Sequence, residues 1–158
     1  MDKIATCLWF DGNAEEAVRF YTGIFRNSSI GDVTRYGDAV PNKAGEVLTI
    51  TFQLEGREFV ALNGGPQYTF SPAISMFVKC ETQDEVDTLW DRLLEGGGSP
   101  VQCGWLTDRY GVSWQIVPTA MMRFLTGKDP ARTQRAMEAM MQMVKLDIKT
   151  LEAAYNQA

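Results

Sequence analysis

Residues 105–118, with the sequence W-L-T-D-R-Y-G-V-S-W-Q-I-V-P, form the stretch that decides the predicted fold. The pattern predicts two short strands, over residues 102–107 and 112–117, and Pro118 ends the second. A tight turn over residues 108–111 joins them, with glycine supplying a positive φ at its end. Side chains alternate along the second strand, so Gln115 lies on the opposite face from Trp114. An amide in an apolar strand needs a hydrogen-bond partner, which makes Gln115 either a satisfied core residue or a ligand contact.

The composition is that of a globular protein with no marked surface charge. The chain has 158 residues, of which 45% are hydrophobic and 22% are charged, and its formal net charge is -5. Because no run of Lys or Arg stands out, we expect no nucleic-acid partner and no anionic membrane surface. No apolar run is long enough to span a bilayer, and the first residues lack the pattern of a signal peptide. We therefore expect a cytoplasmic protein.

The chain contains no histidine and three widely spaced cysteines. Without histidine there is no Ser-His-Asp triad, no Cys-His pair and no histidine-containing zinc or iron site. Apolar neighbours predict that Cys7, Cys80 and Cys103 are buried thiols rather than members of a disulfide framework. The absence of histidine does not exclude a metal site made only of cysteines or carboxylates, although no clustered spacing favours one.

The pattern of predicted elements occurs twice, as β-α-β-β-β. The first copy comprises strand 4–10, helix 14–25, and strands 28–36, 47–54 and 57–63. The second comprises strand 72–80, helix 82–94 and, from Val101 onward, the two short strands already described; the fourth strand of this copy has no predicted bounds. Asn13 with Glu16, and Thr82 with Glu85, have the spacing of capping boxes. Aligning these caps gives an offset of 69 residues, which also sets Thr6 on Ser75 and Leu8 on Phe77, so we infer a duplicated unit.

The remainder of the chain predicts helices. Met121, Met122, Phe124 and Leu125 form a short helical set, and Asp129 with Pro130 begins a longer helix over residues 131–154. Its Met-rich face either packs on its own domain or forms a subunit interface. We predict modules over residues 1–66 and 67–118 and a helical extension over 119–158, all within one structural domain.

Two segments carry a resemblance to a known family. Residues 8–21, L-W-F-D-G-N-A-E-E-A-V-R-F-Y, and residues 108–118, D-R-Y-G-V-S-W-Q-I-V-P, resemble the glyoxalase/bleomycin-resistance/extradiol-dioxygenase superfamily, also called vicinal-oxygen-chelate proteins. The chain looks most like the PhnB-like branch, often labelled 3-demethylubiquinone-9 3-methyltransferase. The resemblance extends into the tail at residues 137–152.

The resemblance implies an α+β fold in which the two modules form a partly open, barrel-like cleft. Metal-using members hold ligands on the first strand of each module and a Glu on the last strand. Gln115 takes the place of that Glu, and a neutral amide is a poor substitute for a carboxylate on a hard cation. The inward first-strand positions hold Ile4, Thr6, Leu8 and Phe10, and in the second module Ala73, Ser75, Phe77 and Lys79. We therefore expect no metal and no cofactor.

The methyltransferase label implies a different architecture from the one predicted here. Transfer from S-adenosylmethionine usually accompanies a doubly wound sheet with a glycine-rich turn after its first strand. Here Gly64-Gly65 ends a hairpin strand, and residues 96–98 end a helix. The label therefore stays an alternative that the residues themselves do not support.

The predicted function is metal-independent binding of a small apolar or aromatic molecule in the cleft, by a homodimer. The predicted ligand-binding residues are Thr6, Leu8, Phe10, Asn63, Ser75, Phe77, Trp105, Trp114 and Gln115. The alternatives are a metal-independent isomerase or lyase, and an interaction protein that uses the Met-rich helix. An enzyme would need a base, for which Asp108 and Glu58 are the nearest carboxylates. However, a hairpin turn favours a solvated Asp108, and Glu58 has the pattern of an outward strand residue.

Overall fold

The computed structural model describes residues 2–157, which divide into two compact units. The first unit extends to Phe70 and the second begins at Ser71. Each unit contains one open, four-stranded mixed sheet and a helix that follows the first strand, which confirms the α+β class and the repeated β-α-β-β-β order. Within residues 2–157, no helix is long and apolar enough to cross a membrane.

The first unit follows the predicted order of elements. It consists of β1 (Thr6–Phe10), α1 (Ala14–Ile24), β2 (Ser29–Arg35), β3 (Val47–Leu54) and β4 (Arg57–Asn63). The strand order is β1-β4-β3-β2, with β1 parallel to β4 and the other neighbours antiparallel. Glu55 and Gly56 both have positive φ between β3 and β4, as a two-residue hairpin turn requires, so this hairpin was predicted residue for residue.

One face of the first sheet is covered by α1. Leu8, Ala61 and Ile50 lie side by side on β1, β4 and β3, and all three are buried. The helix presents its own buried side, which includes Ala14, Ala17, Val18 and Tyr21. Small alanine side chains let the helix approach the sheet closely, and each large apolar side chain buried here contributes about 1.5–3 kcal/mol.

The second unit repeats the sheet with shorter strands. It contains β5 (Ser75–Cys80), α2 (Gln83–Leu94), β6 (Ser99–Pro100), β7 (Trp105–Thr107) and β8 (Ser113–Pro118). The strand order is β5-β8-β7-β6, and β5 is parallel to β8. The predicted hairpin is present as the antiparallel pair of β7 and β8, with Gly111 at a φ of 90° in its turn. Its first strand begins at Trp105 and is shorter than the predicted 102–107. The predicted cap of α2 is also confirmed, because Thr82 Oγ1 accepts a hydrogen bond from the Glu85 N–H.

The predicted cap of α1 is wrong. Asn13 makes no side-chain cap hydrogen bond. Instead Asn63, at the end of β4, uses its Oδ1 to accept a hydrogen bond from the Ala14 N–H at 2.9 Å. The side chain that satisfies the start of the helix therefore comes from a strand of the same sheet, which capping-box spacing does not reveal.

The single long helix predicted over residues 131–154 is also wrong. The structure has α3 (Thr119–Leu125), α4 (Pro130–Met141) and α5 (Ile148–Asn156), with a break over residues 142–147. Asp129 caps α4 as predicted, and Asp147 Oδ1 accepts from the Thr150 N–H to begin α5.

Tertiary contacts explain the break between α4 and α5. The carbonyls of Met143 and Val144 accept hydrogen bonds from the backbone N–H groups of Cys103 and Gly104, both at 2.8 Å. Leu146 is fully buried in a cluster with Val117, Met121 and Leu151. A continuous helix would use these carbonyls within itself and carry Leu146 away from the cluster. No Gly or Pro marks the position, and the local signal is limited to Asp147, whose side chain caps α5.

Candidate functional site

The second sheet has one side under α2 and one side away from it. Leu106, Trp114 and Ile116 are almost fully buried, and α2 contacts β5, β7 and β8, so this buried side lies under the helix. We call the opposite side the open face. It consists of Ser75, Phe77, Lys79, Trp105, Thr107, Ser113, Gln115 and Val117. Two of these are buried: Ser113 is 4% exposed, and Val117 packs in the cluster with Leu146 and Leu151.

Three residues form a row across the middle of the open face. The register pairs Phe77 with Gln115 and Gln115 with Trp105. Directly paired residues point to the same side of a sheet, so the amide lies between two aromatic side chains. Phe77 is 46% exposed, and Trp105 and Gln115 are half-buried. Gln115 therefore points away from the helix and Trp114 lies beneath it, so the two side chains are on opposite faces of the strand, as predicted.

The amide of Gln115 has a partner on the neighbouring strand. Its Nε2 donates to Ser75 Oγ at 2.9 Å, as expected if the amide is satisfied by a nearby hydroxyl when no ligand is bound. Within residues 2–157, the Gln115 carbonyl oxygen and the Trp105 indole N–H have no hydrogen-bond partner, and no buried side-chain polar atom is left unsatisfied. The two groups are therefore open to solvent and can bond a ligand.

Asp108 is a structural residue of the turn and is unsuited to act as a base. The expectation that it is solvated is wrong, because the residue is only 3% exposed. Its carboxylate accepts hydrogen bonds from the Tyr110 and Val112 N–H groups and from Trp114 Nε1 at 2.9 Å. These bonds fix the turn and hold Trp114 beneath the row. Both carboxylate oxygens already accept hydrogen bonds from the protein, so they are not available to take a proton from a substrate.

The first-unit residues predicted to bind ligand lie on the side covered by α1. Leu8 and Phe10 pair with Ala61 and Asn63, and the Asn63 side chain contacts the start of the helix. Leu8 is only 5% exposed, and Thr6 shares its side at the exposed start of the strand. The expectation that these residues have the same orientation as Ser75 and Phe77 is therefore wrong.

A difference of one residue between the two strand-to-helix connections explains this error. Residues 11–13 join β1 to α1, whereas only Glu81 and Thr82 join β5 to α2. The helices match at an offset of 69 residues, but the last strand residues, Phe10 and Cys80, match at 70 and are both buried on the helix side. A shift of one residue exchanges the two sides of a strand. Leu8 thus corresponds to Val78, and Phe77 corresponds to Cys7.

Trp9 lies on the side of β1 that corresponds to Phe77, and it was not among the predicted binding residues. Trp9 points away from α1, and its Nε1 donates to the Gly65 carbonyl at 2.9 Å. Its ring meets Tyr68 edge-on with centroids 5.0 Å apart, and it lies directly against Gly64. The adjacent glycines after β4 were the signal that a ring packs closely on this segment.

The family model and one solved structure carry the same family description. The family model described as 3-demethylubiquinone-9 3-methyltransferase matches residues 2–117. A PhnB protein from Bacillus cereus, whose name carries the same label, is 40% identical, with 74% of this chain and 99% of the other covered and a TM-score of 0.67. A protein from Pseudomonas aeruginosa is 22% identical, with 75% and 98% covered and a TM-score of 0.61, which shows a shared fold.

A Frankia domain titled glyoxylase/bleomycin resistance protein/dioxygenase is also similar. It is 15% identical, with 72% of this chain and 94% of the other covered and a TM-score of 0.45. No match was found among the curated proteins. The family model ends at residue 117, so α3, α4 and α5 lie outside it even though the predicted resemblance included the tail.

Neither group that the resemblance implies fits the residues present. No cluster of three His, Cys, Asp or Glu side chains suited to a metal ion occurs within residues 2–157. At the position where the resemblance implies a metal-binding Glu, the Gln115 amide bonds the Ser75 hydroxyl, and an amide with a hydroxyl is a weaker set of ligands than a carboxylate. The mixed sheets also lack the parallel, doubly wound order and glycine-rich strand-to-helix turn usual for S-adenosylmethionine.

Proposed function

The chain belongs to the 3-demethylubiquinone-9 3-methyltransferase family, and we propose that it binds a small apolar or aromatic molecule on the open face without a metal. The observation that carries the proposal is the row formed by Phe77, Gln115 and Trp105. An amide with a free carbonyl oxygen lies between two accessible aromatic rings, in a sheet whose other side is packed.

The row has the composition of a small-molecule site. Such sites combine apolar or aromatic walls with a few polar groups that fix orientation. Phe77 and Trp105 offer ring surface for stacking, which is worth about 0.5–1.5 kcal/mol per aromatic pair beyond area burial. The Gln115 carbonyl oxygen accepts from a ligand donor, and the Trp105 indole N–H donates to a ligand acceptor.

The corrected strand alignment changes the predicted set of binding residues. The proposal keeps Ser75, Phe77, Trp105 and Gln115, while Trp114 supports the row from the helix side. Thr6, Leu8, Phe10 and Asn63 leave the set because they lie on the side of the first sheet that α1 covers. Cys7 and Trp9 are the β1 residues that point away from the helix, and neither belongs to the open face.

The test compares ligand binding with stability in Gln115→Leu. The probe is 2-naphthol, which is neutral at pH 7 and contains one aromatic body and one hydroxyl group. We expect saturable binding to the unaltered protein by calorimetric titration and about fivefold weaker binding to Gln115→Leu, since one hydrogen bond contributes about 0.5–1.5 kcal/mol. Gln134→Leu, on the surface of α4, is the matched control and keeps full affinity.

Three outcomes contradict the proposal. Absence of 2-naphthol binding overturns it, as does unchanged affinity in Gln115→Leu. Elemental analysis after metal reloading is expected to show no stoichiometric zinc, nickel, manganese or iron, and tight binding of one ion per chain would refute metal independence. Calorimetry with S-adenosylmethionine is expected to show no binding.

A further inference from the structure

We infer that the ligand of the open face is an aromatic anion, whose charged group is recognised by Lys79. The inference rests on the proposed binding function and adds the chemical class of the molecule. It follows from how three types of side chain are arranged along β5 and β8.

Each row across the open face carries a different type of side chain. Ser75 pairs with Ser113, which pairs with Thr107, so the first row carries hydroxyl groups. The second row is the amide between two aromatic rings. In the third row Lys79 pairs with Val117. Alternate strand residues are about 6.6–6.8 Å apart, so the ammonium group lies within reach of the edge of a ring stacked on Phe77.

The charge of Lys79 is not used within the described structure. Lys43 pairs with Glu46, and Lys145 pairs with Asp87 at 2.9 Å. Lys79 is exposed and has no ion pair or hydrogen bond to any side chain within residues 2–157. None of the eight residues of the open face is acidic, and Lys79 is the one basic residue among them.

Lys79 also lies on an edge strand, since β5 is the outer strand of its sheet. Edge lysines discourage pairing with a second sheet edge, so this role must be separated from ligand recognition. If Lys79 only prevents pairing at the sheet edge, removing its charge causes self-association and does not change which ligand binds. If Lys79 recognises the ligand, removing its charge changes the preference between charged and neutral ligands.

The experiment compares 2-naphthoate with 2-naphthol, which share the ring and differ in charge at pH 7. We expect 2-naphthoate to bind about fivefold more tightly at low ionic strength, because a solvent-exposed ion pair is worth up to about 1 kcal/mol. Lys79→Gln is expected to abolish this preference and to leave the affinity for 2-naphthol unchanged. Added salt is expected to reduce the preference in the unaltered protein.

Two variants serve as controls. Lys79→Arg keeps the charge and is expected to keep the preference, and Lys149→Gln, on α5, removes an exposed charge elsewhere and is expected to change nothing. Circular dichroism and light scattering check that each variant is folded and has the same oligomeric state as the unaltered protein.

Each contrary result has a distinct meaning. If 2-naphthol binds and 2-naphthoate binds no more tightly, the proposed function stands and the anionic class is overturned. The same conclusion follows if Lys79→Gln weakens both ligands equally or only causes association. If neither ligand binds the unaltered protein, both the proposed function and this inference fail.

Discussion

The side-chain oxygen of Asn63 accepts a hydrogen bond from the backbone N–H of Ala14 at 2.9 Å, across 49 residues of sequence. The amide nitrogen of Asn63 donates to the Val47 carbonyl at 3.1 Å. One side chain therefore joins the end of β4 to the start of α1 and to the start of β3. The first helix is held in place by the sheet that it covers.

Replacing Asn63 with alanine is expected to lower the free energy of unfolding by about 1–2 kcal/mol, because the helix loses its cap and Val47 loses a donor. Asn13→Ala is expected to cost less than about 0.5 kcal/mol, since Asn13 makes no cap hydrogen bond. Urea unfolding of both variants measures the difference. Equal costs would mean that Asn13 shares the capping role.

Gly64→Ala is expected to destabilise the protein by about 1–3 kcal/mol, as overpacking does. A Cβ at this position would lie 2.3 Å from the Trp9 ring, and that ring is held by its bond to the Gly65 carbonyl. Gly23→Ala, in α1, is the control. It meets nothing within 4 Å and is expected to be neutral or stabilising in the same urea experiment. A neutral Gly64→Ala would show that the Trp9 ring moves freely.

Met140→Lys and Met141→Lys test the proposed homodimer. Met140 packs against the cluster around Leu146 and Leu151, whereas Met141 is 58% exposed. We expect Met140→Lys to lower the melting temperature at any protein concentration. Met141→Lys is expected to keep the fold and to shift the light-scattering mass from about twice the 17.7 kDa chain mass to the monomer. An unaltered protein that is monomeric at micromolar concentration would refute the dimer.

Cys80 is expected to make stability fall at alkaline pH. Burial, with a smaller effect of Glu85 and Glu81, raises the pKa of this thiol from 9.0 to about 12. Above pH 9 the unfolded chain releases the proton while the folded chain retains it, so the stability present below pH 9 is lost as the pH rises towards 12. Cys80→Ala removes this contribution. The difference in unfolding free energy between Cys80→Ala and the unaltered protein should therefore narrow from pH 8.5 upwards, and a constant difference would contradict the assignment.

Local patterns predicted much of this fold. The strand pair joined by Glu55-Gly56 and the cap formed by Thr82 depend on neighbouring residues, and both were predicted correctly. The break before α5 depends on contacts with Cys103 and Gly104, which no local pattern reveals. Thr6, Leu8 and Phe10 were assigned to the wrong side because β1 and β5 were aligned from their helices, and the connections differ by one residue.

The open face itself was predictable for the second unit. Alternation along β8 separates Gln115 from Trp114 whatever the details of packing, and the structure has this arrangement. Trp9 could not be found in the same way, because its orientation depends on the register between β1 and β4. In the structure Trp9 pairs with Leu62, on the side of the sheet away from α1, and its ring packs on Gly64.

The segment between α4 and α5 affects the order in which the protein can fold during synthesis. Leu146 and Leu151 complete the cluster that covers Val117 and Met121. They are made about thirty residues after the last strand of the second sheet. Because domains fold as units while the chain emerges, the first unit can be complete when the second still exposes the end of β8. A chain that stalls before Leu146 therefore presents that apolar surface to chaperones and proteases.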